Sequence, residues 1–433
     1  MGKRFHQGDI VYYDHQPFAY ALCPSQRKLR CDKCFIPINQ VKSYLCLDCR
    51  YVRFCSLLCQ RNSMIEHRSE CPKIKQRPIG TVARMILRIL NKMQYCQSFT
   101  VSIYGILRTW DRLMDHCEEI AKNMDSMLSF GSIVEDLEYY LGNIEDVKLI
   151  FQIYGKIMIN SFAVTDSETG QVIGKVLYLG ASMFDHSCQP DLYFQFDGIS
   201  IYFIAVHDLT IRTEDENGEE KALDQFHISY IDEMMPVFDR QHILQSSYYF
   251  QCKCARCSED SRPYPINNAR LSAMMSLIDE YFNSDHICDL IRLVLDYLMT
   301  QNNRFDRIER VPRNYNNFIE QINQLNRFKT KIEECQEILL ESNELDLVSS
   351  TRLRDFLACL RRDANEIDQL SIIYSQYYGR RHPRLLQRTW LWIALLLIDL
   401  WSKEKDMEKS KLIRSLIRKA KIMKEFLKLK PCD

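Results

Sequence analysis

Apolar and polar positions change their period several times along the chain. Residues 8–22, GDIVYYDHQPFAYAL, are dense in aromatic and β-branched residues around Pro17, a composition that predicts short strands. From about Gly80 to Lys156 the period becomes helical. VARMILRILNKM places Val82, Ile86, Ile89, Leu90 and Met93 on one face at three- and four-residue spacing, and VEDLEYYLGNIEDVKLIFQIYGKIMINSF continues in kind. Between Gly170 and Asp232 the apolar runs shorten to strand length: VIGKVLYLGASMF, LYFQF, ISIYFIAV and HISYID, broken by Gly, Pro and Asp. Thr213–Lys221 (TEDENGEEK) is polar and charged and predicts an exposed loop. After Cys257 the strand signals stop. Pro263 and Pro265 mark a break, and Asn268–Lys430 reads as successive amphipathic helices with later breaks at Pro312 and Pro383. The longest apolar run, Trp390–Ile398, is far short of the roughly 20 residues of a membrane span and predicts a buried helix. Lys403–Lys430 is basic and amphipathic. Its apolar face of Leu412, Ile413, Leu416, Ile417, Ala420, Met423 and Leu427 predicts packing on a helical bundle, with the basic side solvated.

Composition narrows the class. At about 150 residues per domain, a chain of 433 residues suggests two or three domains. Hydrophobic residues at 46% and charged residues at 26% describe a folded globular protein, and only 13 glycines favour a helix-rich body. Lys and Arg number 57 against 57 Asp and Glu, so the formal charge is zero. That disfavours binding to nucleic acid through displaced counterions. The 18 cysteines are uneven: seven lie between Cys31 and Cys71 and three between Cys252 and Cys257. Met1–Arg4 runs into a mixed stretch unlike a signal peptide, so a reducing compartment, cytoplasmic and nuclear, is expected. Clustered cysteines there are metal ligands rather than disulfides.

The first cluster reads Cys31-x2-Cys34, Cys46-x2-Cys49, Cys55-x3-Cys59, His67-x3-Cys71. Eight soft or borderline donors are enough for two tetrahedral Zn²⁺ sites, and the Cys-x2-Cys turn holds two thiolates about one tetrahedral edge apart. About 40 residues cannot build a core alone, so metal must supply the folding free energy. In the second cluster Cys252, Cys254 and Cys257 leave a tetrahedron one ligand short; Cys188, in the DHSC turn, is the best candidate for the fourth. Cys96, Cys117, Cys288, Cys335 and Cys359 have no partners at ligand spacing and are expected to be buried thiols.

The order of pairs from Cys31 to Cys71 resembles a MYND zinc finger. The resemblance implies alternate pairing, with Cys31, Cys34, Cys55 and Cys59 on one ion and Cys46, Cys49, His67 and Cys71 on the other. It also implies binding of proline-containing peptides rather than DNA. FDHSCQPD (Phe184–Asp191), ISYIDEMMP (Ile228–Pro236) and YYFQCKCARC (Tyr248–Cys257) together resemble a SET domain with its post-SET zinc site. The chain is therefore similar to the SMYD class of protein-lysine methyltransferases, by specific motifs from about Gly8 to Cys257 and beyond that only by a general helical pattern with YGRRHP (Tyr378–Pro383). That class implies an α+β fold: a SET β-fold split by a double-zinc MYND finger and a helical insert, a post-SET zinc site, and an α-helical, TPR-like C-terminal domain. The corresponding segments are 1–30 (truncated N-terminal part of the SET domain), 31–71 (finger), 72–150 (helical linker and insert), 151–232 (SET core), 233–258 (post-SET segment) and 259–433 (helical domain).

By match to the class, Tyr230 would be the catalytic tyrosine and Phe250 would line the cofactor and lysine channel. Asn160 would contact the methionine part of S-adenosylmethionine, and Asp185 and His186 belong to the turn that holds its adenine. Three Zn²⁺ ions would accompany that cofactor, and the substrates would be histone or non-histone lysines, with no membrane partner and no strong direct nucleic-acid binding. The sequence departs from the class in three ways. Class members carry a Gly-x-Gly strand-turn ahead of the segment matching Gly8–Leu22; Met1–Gln7 contain none, so one cofactor wall and an edge strand are expected to be missing. The class Asn of Asn-His-Ser-Cys is Asp185 here, which keeps the acceptor, loses the amide donors and adds a charge. The stretch Leu209–His227 is longer than usual. These departures motivate a rival: a catalytically weak or inactive adaptor that presents its finger and helical domain to partner proteins.

Overall fold

The computed structural model describes residues 3–38, 42–95, 99–103, 106–210, 226–259, 268–300, 311–341, 347–378, 382–402 and 407–427. Cys96, the loop Thr213–Lys221, Pro263 and Pro265 lie outside these residues. Strands and helices are segregated as expected for an α+β protein, and the chain forms two units. The first comprises Met1–Thr165, Val172–Tyr230 and Ile243–Cys254; the second comprises Asp166–Gln171, Ile231–His242 and Ala255–Asp433.

The first unit is built on small antiparallel sheets. Leu192–Asp197 pairs with Ser200–Ala205, which pairs with Ile10–Asp14. Val172–Leu177 lies between Ala19–Leu22 and Ser161–Thr165. Both strands expected within residues 8–22 are therefore present, but they lie in different sheets, separated at Pro17. Arg4–Phe5 pairs with Leu209–Thr210. A short parallel pair, Asp185–His186 with His227–Ile228, sets two distant motifs side by side.

The finger occupies 31–71, with a hairpin (Tyr44–Leu45, Arg53–Phe54) and a helix, Leu57–His67, whose Ser56 cap accepts the Cys59 N–H at 3.1 Å. Its core of buried residues holds little besides its cysteines: Val52, Phe54 and Ile74. Phe35, fully buried with φ 61°, reaches out of the first knuckle to the sheet, where a Cβ on Gly174 would stand 2.4 Å from its ring. Glycine at 174 is thus what allows the finger to seat on that strand.

Within residues 80–156 the helix Thr81–Met93 packs its expected face of Val82, Ile86, Ile89, Leu90 and Met93 on one core, and it also buries Ala83 to Ile89 without interruption. Its second buried face carries Arg84 and Arg88, which ion pairs keep in place. The stretch also contains a hairpin, Thr100–Ile103 with Ile106–Thr109. The helix Met124–Leu141 ends at Gly142 (φ 79°), and Val147–Asn160 restarts under an Asp146 cap that accepts the Leu149 N–H at 2.8 Å.

In the second unit every long element after Cys257 among the described residues is a helix, from Asn268–Phe282 to Met407–Leu427. Pro383–Ser402 is long and apolar enough to cross a membrane, but 83% of that window is buried inside the protein. As predicted for Trp390–Ile398, it is a core helix. Around it Asp355 accepts from Trp392 Nε1 (2.9 Å) and Tyr374 Oη (2.8 Å) and pairs with Arg388 (3.2 Å), so a fully buried carboxylate is satisfied from three sides. Ile413, Leu416, Ile417, Ala420 and Met423 of the basic helix are buried, the packing expected of its apolar face.

Candidate active site and metal centres

Three sets of donor atoms each converge within 4.8 Å: Cys31, Cys34, Cys55 and Cys59; Cys46, Cys49, His67 and Cys71; and Cys188, Cys252, Cys254 and Cys257. Within them Cys34 Sγ lies 3.6 Å from Cys55 Sγ, Cys46 Sγ 3.7 Å from Cys71 Sγ, and Cys49 Sγ 3.5 Å from His67 Nε2. Cys188 Sγ is 3.9 Å from Cys252 Sγ across 64 residues of sequence. These separations match the roughly 3.8 Å edge of a tetrahedron with Zn–S bonds of about 2.3 Å. Burial and neighbouring thiols push Cys59 up to about 11 and Cys71 up to about 12. A divalent cation lets the crowded thiols of one set ionise together, so all three donor sets, two of four cysteines and one of three cysteines with His67, fit Zn²⁺. The described cysteines are free thiols, and Cys288, Cys335 and Cys359 are buried as expected; Cys117 is half-buried.

The second finger site has supports that the spacing did not reveal. His67 Nε2 faces Cys49, and its Nδ1–H donates to Glu70 Oε1 at 3.0 Å. Glu70 and Asp32 are both gripped by Arg84, through Nε and Nη2 (2.8 and 2.6 Å) and through Nη1 and Nη2 (2.7 and 2.8 Å). Arg88 adds bonds to Asp32 (3.0 Å), Glu70 (2.8 Å) and Tyr20 O (2.9 Å). Burial alone would raise both carboxyls; the two arginines outweigh it and hold Glu70 well below the usual carboxylate range and Asp32 below it. The available signal was an acid inside the first and last ligand motifs, Asp32 and Glu70, and two arginines, four apart, within the apolar run Val82–Leu90.

The third set adjoins the predicted active-site residues. Tyr230 Oη donates to Phe184 O at 2.8 Å, and its backbone N–H donates to His186 Nδ1 at 3.0 Å. The His186 ring lies 5.3 Å from Tyr230 and 5.9 Å from Phe250, and its Nε2 is 3.2 Å from Cys188 Sγ. Tyr248, not singled out by the sequence, sets its ring 4.9 Å from that of Tyr230, tilted by 41°. Between Tyr248 and Phe250, Tyr249 takes φ 64°, a left-handed turn costly for a bulky residue. Burial, then the charge of the exposed Asp185 and the neighbouring Tyr248, raises the Tyr230 phenol far above its ordinary value, so it stays a hydrogen-bond donor.

The remaining residue predicted for the cofactor is Asn160. At the end of Val147–Asn160 its amide donates to Met114 O and Lys156 O, each at 2.8 Å, which leaves Oδ1 as an acceptor.

Residues 31–71 match the family model of the MYND finger. The chain is 25% identical over 262 residues to the histone-lysine N-methyltransferase SMYD3 of Mus musculus, covering 59% of this chain and 57% of that one. It is 28% identical over 262 residues to the SET domain-containing protein 14 of Caenorhabditis elegans (59% and 56%), and 26% identical over 267 residues to the N-lysine methyltransferase SMYD2-A of Danio rerio (60% and 57%). The matched region is thus a little over half the length of these relatives. The chain thus carries a MYND finger, and over the matched region it is similar to SMYD-class SET-and-MYND proteins.

Proposed function

We propose that this protein is an S-adenosylmethionine-dependent protein-lysine N-methyltransferase acting on histone or non-histone lysines. The observation that carries the proposal is the convergence of Tyr230, His186, Tyr248 and Phe250 beside the Cys188 thiol set, from segments far apart in sequence. When bound, the cofactor supplies a methyl group on a sulfonium. The chain's part is to present an uncharged amine: a lysine has a pKa near 10.4, and aromatic walls that shed water favour its neutral form. Tyr248 and Phe250 supply such walls, and a protonated Tyr230 hydroxyl orients rather than removes protons. Asn160 Oδ1 and the Asp185 carboxylate offer acceptors only, chemistry that suits the cofactor's ammonium and sulfonium better than its carboxylate.

Titration calorimetry of the full chain with S-adenosylmethionine, followed by labelled methyl transfer to histones and cell lysate, tests the proposal. Tyr230→Phe should retain cofactor binding and lose about 100-fold or more in transfer. No cofactor binding by the intact zinc-loaded chain would refute it. Asp185, which replaces a neutral amide of the class, favours the second reading, a catalytically weak or inactive adaptor; under it Tyr230→Phe leaves the biological effect intact. The finger would serve proline-containing partner peptides, and the place of action would be cytoplasm and nucleus.

A further inference from the structure

We propose that the His186 imidazole is a positioning residue that couples the third metal site to Tyr230, so that zinc at that site holds the tyrosine's backbone. The inference deepens the methyltransferase reading and rests on it for the role of Tyr230; the coupling itself does not.

The logic is one of donors and acceptors. A backbone N–H can only donate, and that of Tyr230 points at His186 Nδ1 from 3.0 Å, so Nδ1 carries no proton. The ring proton of the neutral imidazole is then on Nε2, which faces Cys188 Sγ at 3.2 Å. A thiolate bound to zinc keeps lone pairs and accepts such a bond. Both ring nitrogens are therefore spent inside the protein, one on the metal's ligand and one on the peptide group of Tyr230. The surroundings brace the same link. Asp185–His186 pairs in parallel with His227–Ile228, Ser187 N–H donates to Ile228 O at 2.9 Å, and Tyr230 Oη returns to Phe184 O. Residues 184–188 and 226–230 thus form one clamp, with a metal ligand at one end and the tyrosine at the other. Losing the metal frees Cys188 to move, and with it the imidazole that accepts the Tyr230 N–H.

Amide exchange of the 226–230 segment, read by mass spectrometry on the zinc-loaded full chain, tests this without cofactor or substrate. Cys254→Ser removes a third-site ligand other than Cys188; the Tyr230 amide should exchange roughly tenfold faster, as for the loss of one hydrogen bond. In His186→Asn, whose Oδ1 can still accept the Tyr230 N–H, adding Cys254→Ser should change that exchange little. Zinc release from the third site should be about 10- to 100-fold faster in His186→Asn alone. Unchanged exchange in Cys254→Ser, or equal acceleration in both backgrounds, would overturn the proposal. If Cys254→Ser does not fold, ¹⁵N spectra of selectively labelled histidine in the unmutated chain decide it: Nε2 protonated and Nδ1 an acceptor is expected, and the opposite tautomer overturns it. Failure of cofactor binding in calorimetry would strike the methyltransferase reading and leave these exchange results standing.

Discussion

Arg84→Met should cost the finger about 3–5 kcal/mol, the usual consequence of removing one partner from a buried ionic group. Arg84 is 4% exposed and donates four hydrogen bonds, two to Asp32 and two to Glu70. With Arg88 the four groups are electrically neutral; without Arg84 two buried carboxylates face one guanidinium. Summing four charge-assisted bonds at about 1.5–3 kcal/mol each would overshoot, because the desolvation of Arg84 is relieved at the same time. The consequence extends to the metal, since Glu70 also accepts the His67 Nδ1–H. The assay is urea unfolding of the zinc-loaded chain, followed by metal release to a chromogenic chelator. The finger's unfolding equilibrium should shift by roughly 10²- to 10⁴-fold. Cobalt substitution separates the sulfur-only sites from the site holding His67, and the latter should loosen first. Arg84→Lys should fall between, because an ammonium cannot make two forks. A shift of less than about threefold in Arg84→Met would mean that the network carries no net stabilisation, as some buried ion pairs do not.

Other expectations are independent of that network. Metal analysis of the purified chain should give three zinc ions, and Cys31→Ser should remove at least one and, by collapsing the finger, weaken the second finger site, because the finger's core is little more than Val52, Phe54 and Ile74. Gly174→Ala should destabilise the first unit by about 1–3 kcal/mol, since the new methyl meets the Phe35 ring and Ala21 O; denaturant unfolding read by far-UV circular dichroism would show it. Asp232 is half-buried, which would raise its carboxyl, but Arg384 at 2.5 Å, then the charge of Arg352 and the Tyr378 hydroxyl at 3.0 Å, outweigh this and lower it to about 2. Its folded value lies below its unfolded one, so its contribution is complete above about pH 4 and disappears as the pH falls through 2. With its side chain 27% exposed, that amounts to about 1–2 kcal/mol, read as the difference in urea stability between the unmutated chain and Asp232→Asn from pH 6 to 2. A pH-independent difference would contradict the assignment. Leu396→Ala, at a fully buried position of the Pro383–Ser402 helix, should cost about 2–5 kcal/mol in the second unit, measured by the same unfolding.

Much of the site was legible because metal ligation is local chemistry: two thiols three or four residues apart face one ion whatever surrounds them, so the donors could be named from spacing. Cys188 could be nominated as the missing fourth thiol only by counting, and the fold had to bring it 64 residues back to Cys252. Tyr230 and Phe250 were named by resemblance, whereas Tyr248 was passed over because a tyrosine in an aromatic run carries no signal of what it will stack on. The hairpin Thr100–Ile103/Ile106–Thr109 was missed because helical patterns on both sides dominated the window.

By itself, then, the order of residues determined the zinc donors, the helical second half and the buried character of Trp390–Ile398, since each depends on spacing within a few turns of chain. Only the tertiary structure decided that Arg84 and Arg88 turn inward to Asp32 and Glu70, that Phe35 rests on Gly174, and that His186 stands between a metal ligand and Tyr230. Apart from His186 and Cys188, which are two residues apart, those choices pair groups from 14 to 139 residues apart. A charge or ring alone in sequence is solvated or buried according to whichever partner the fold delivers to it.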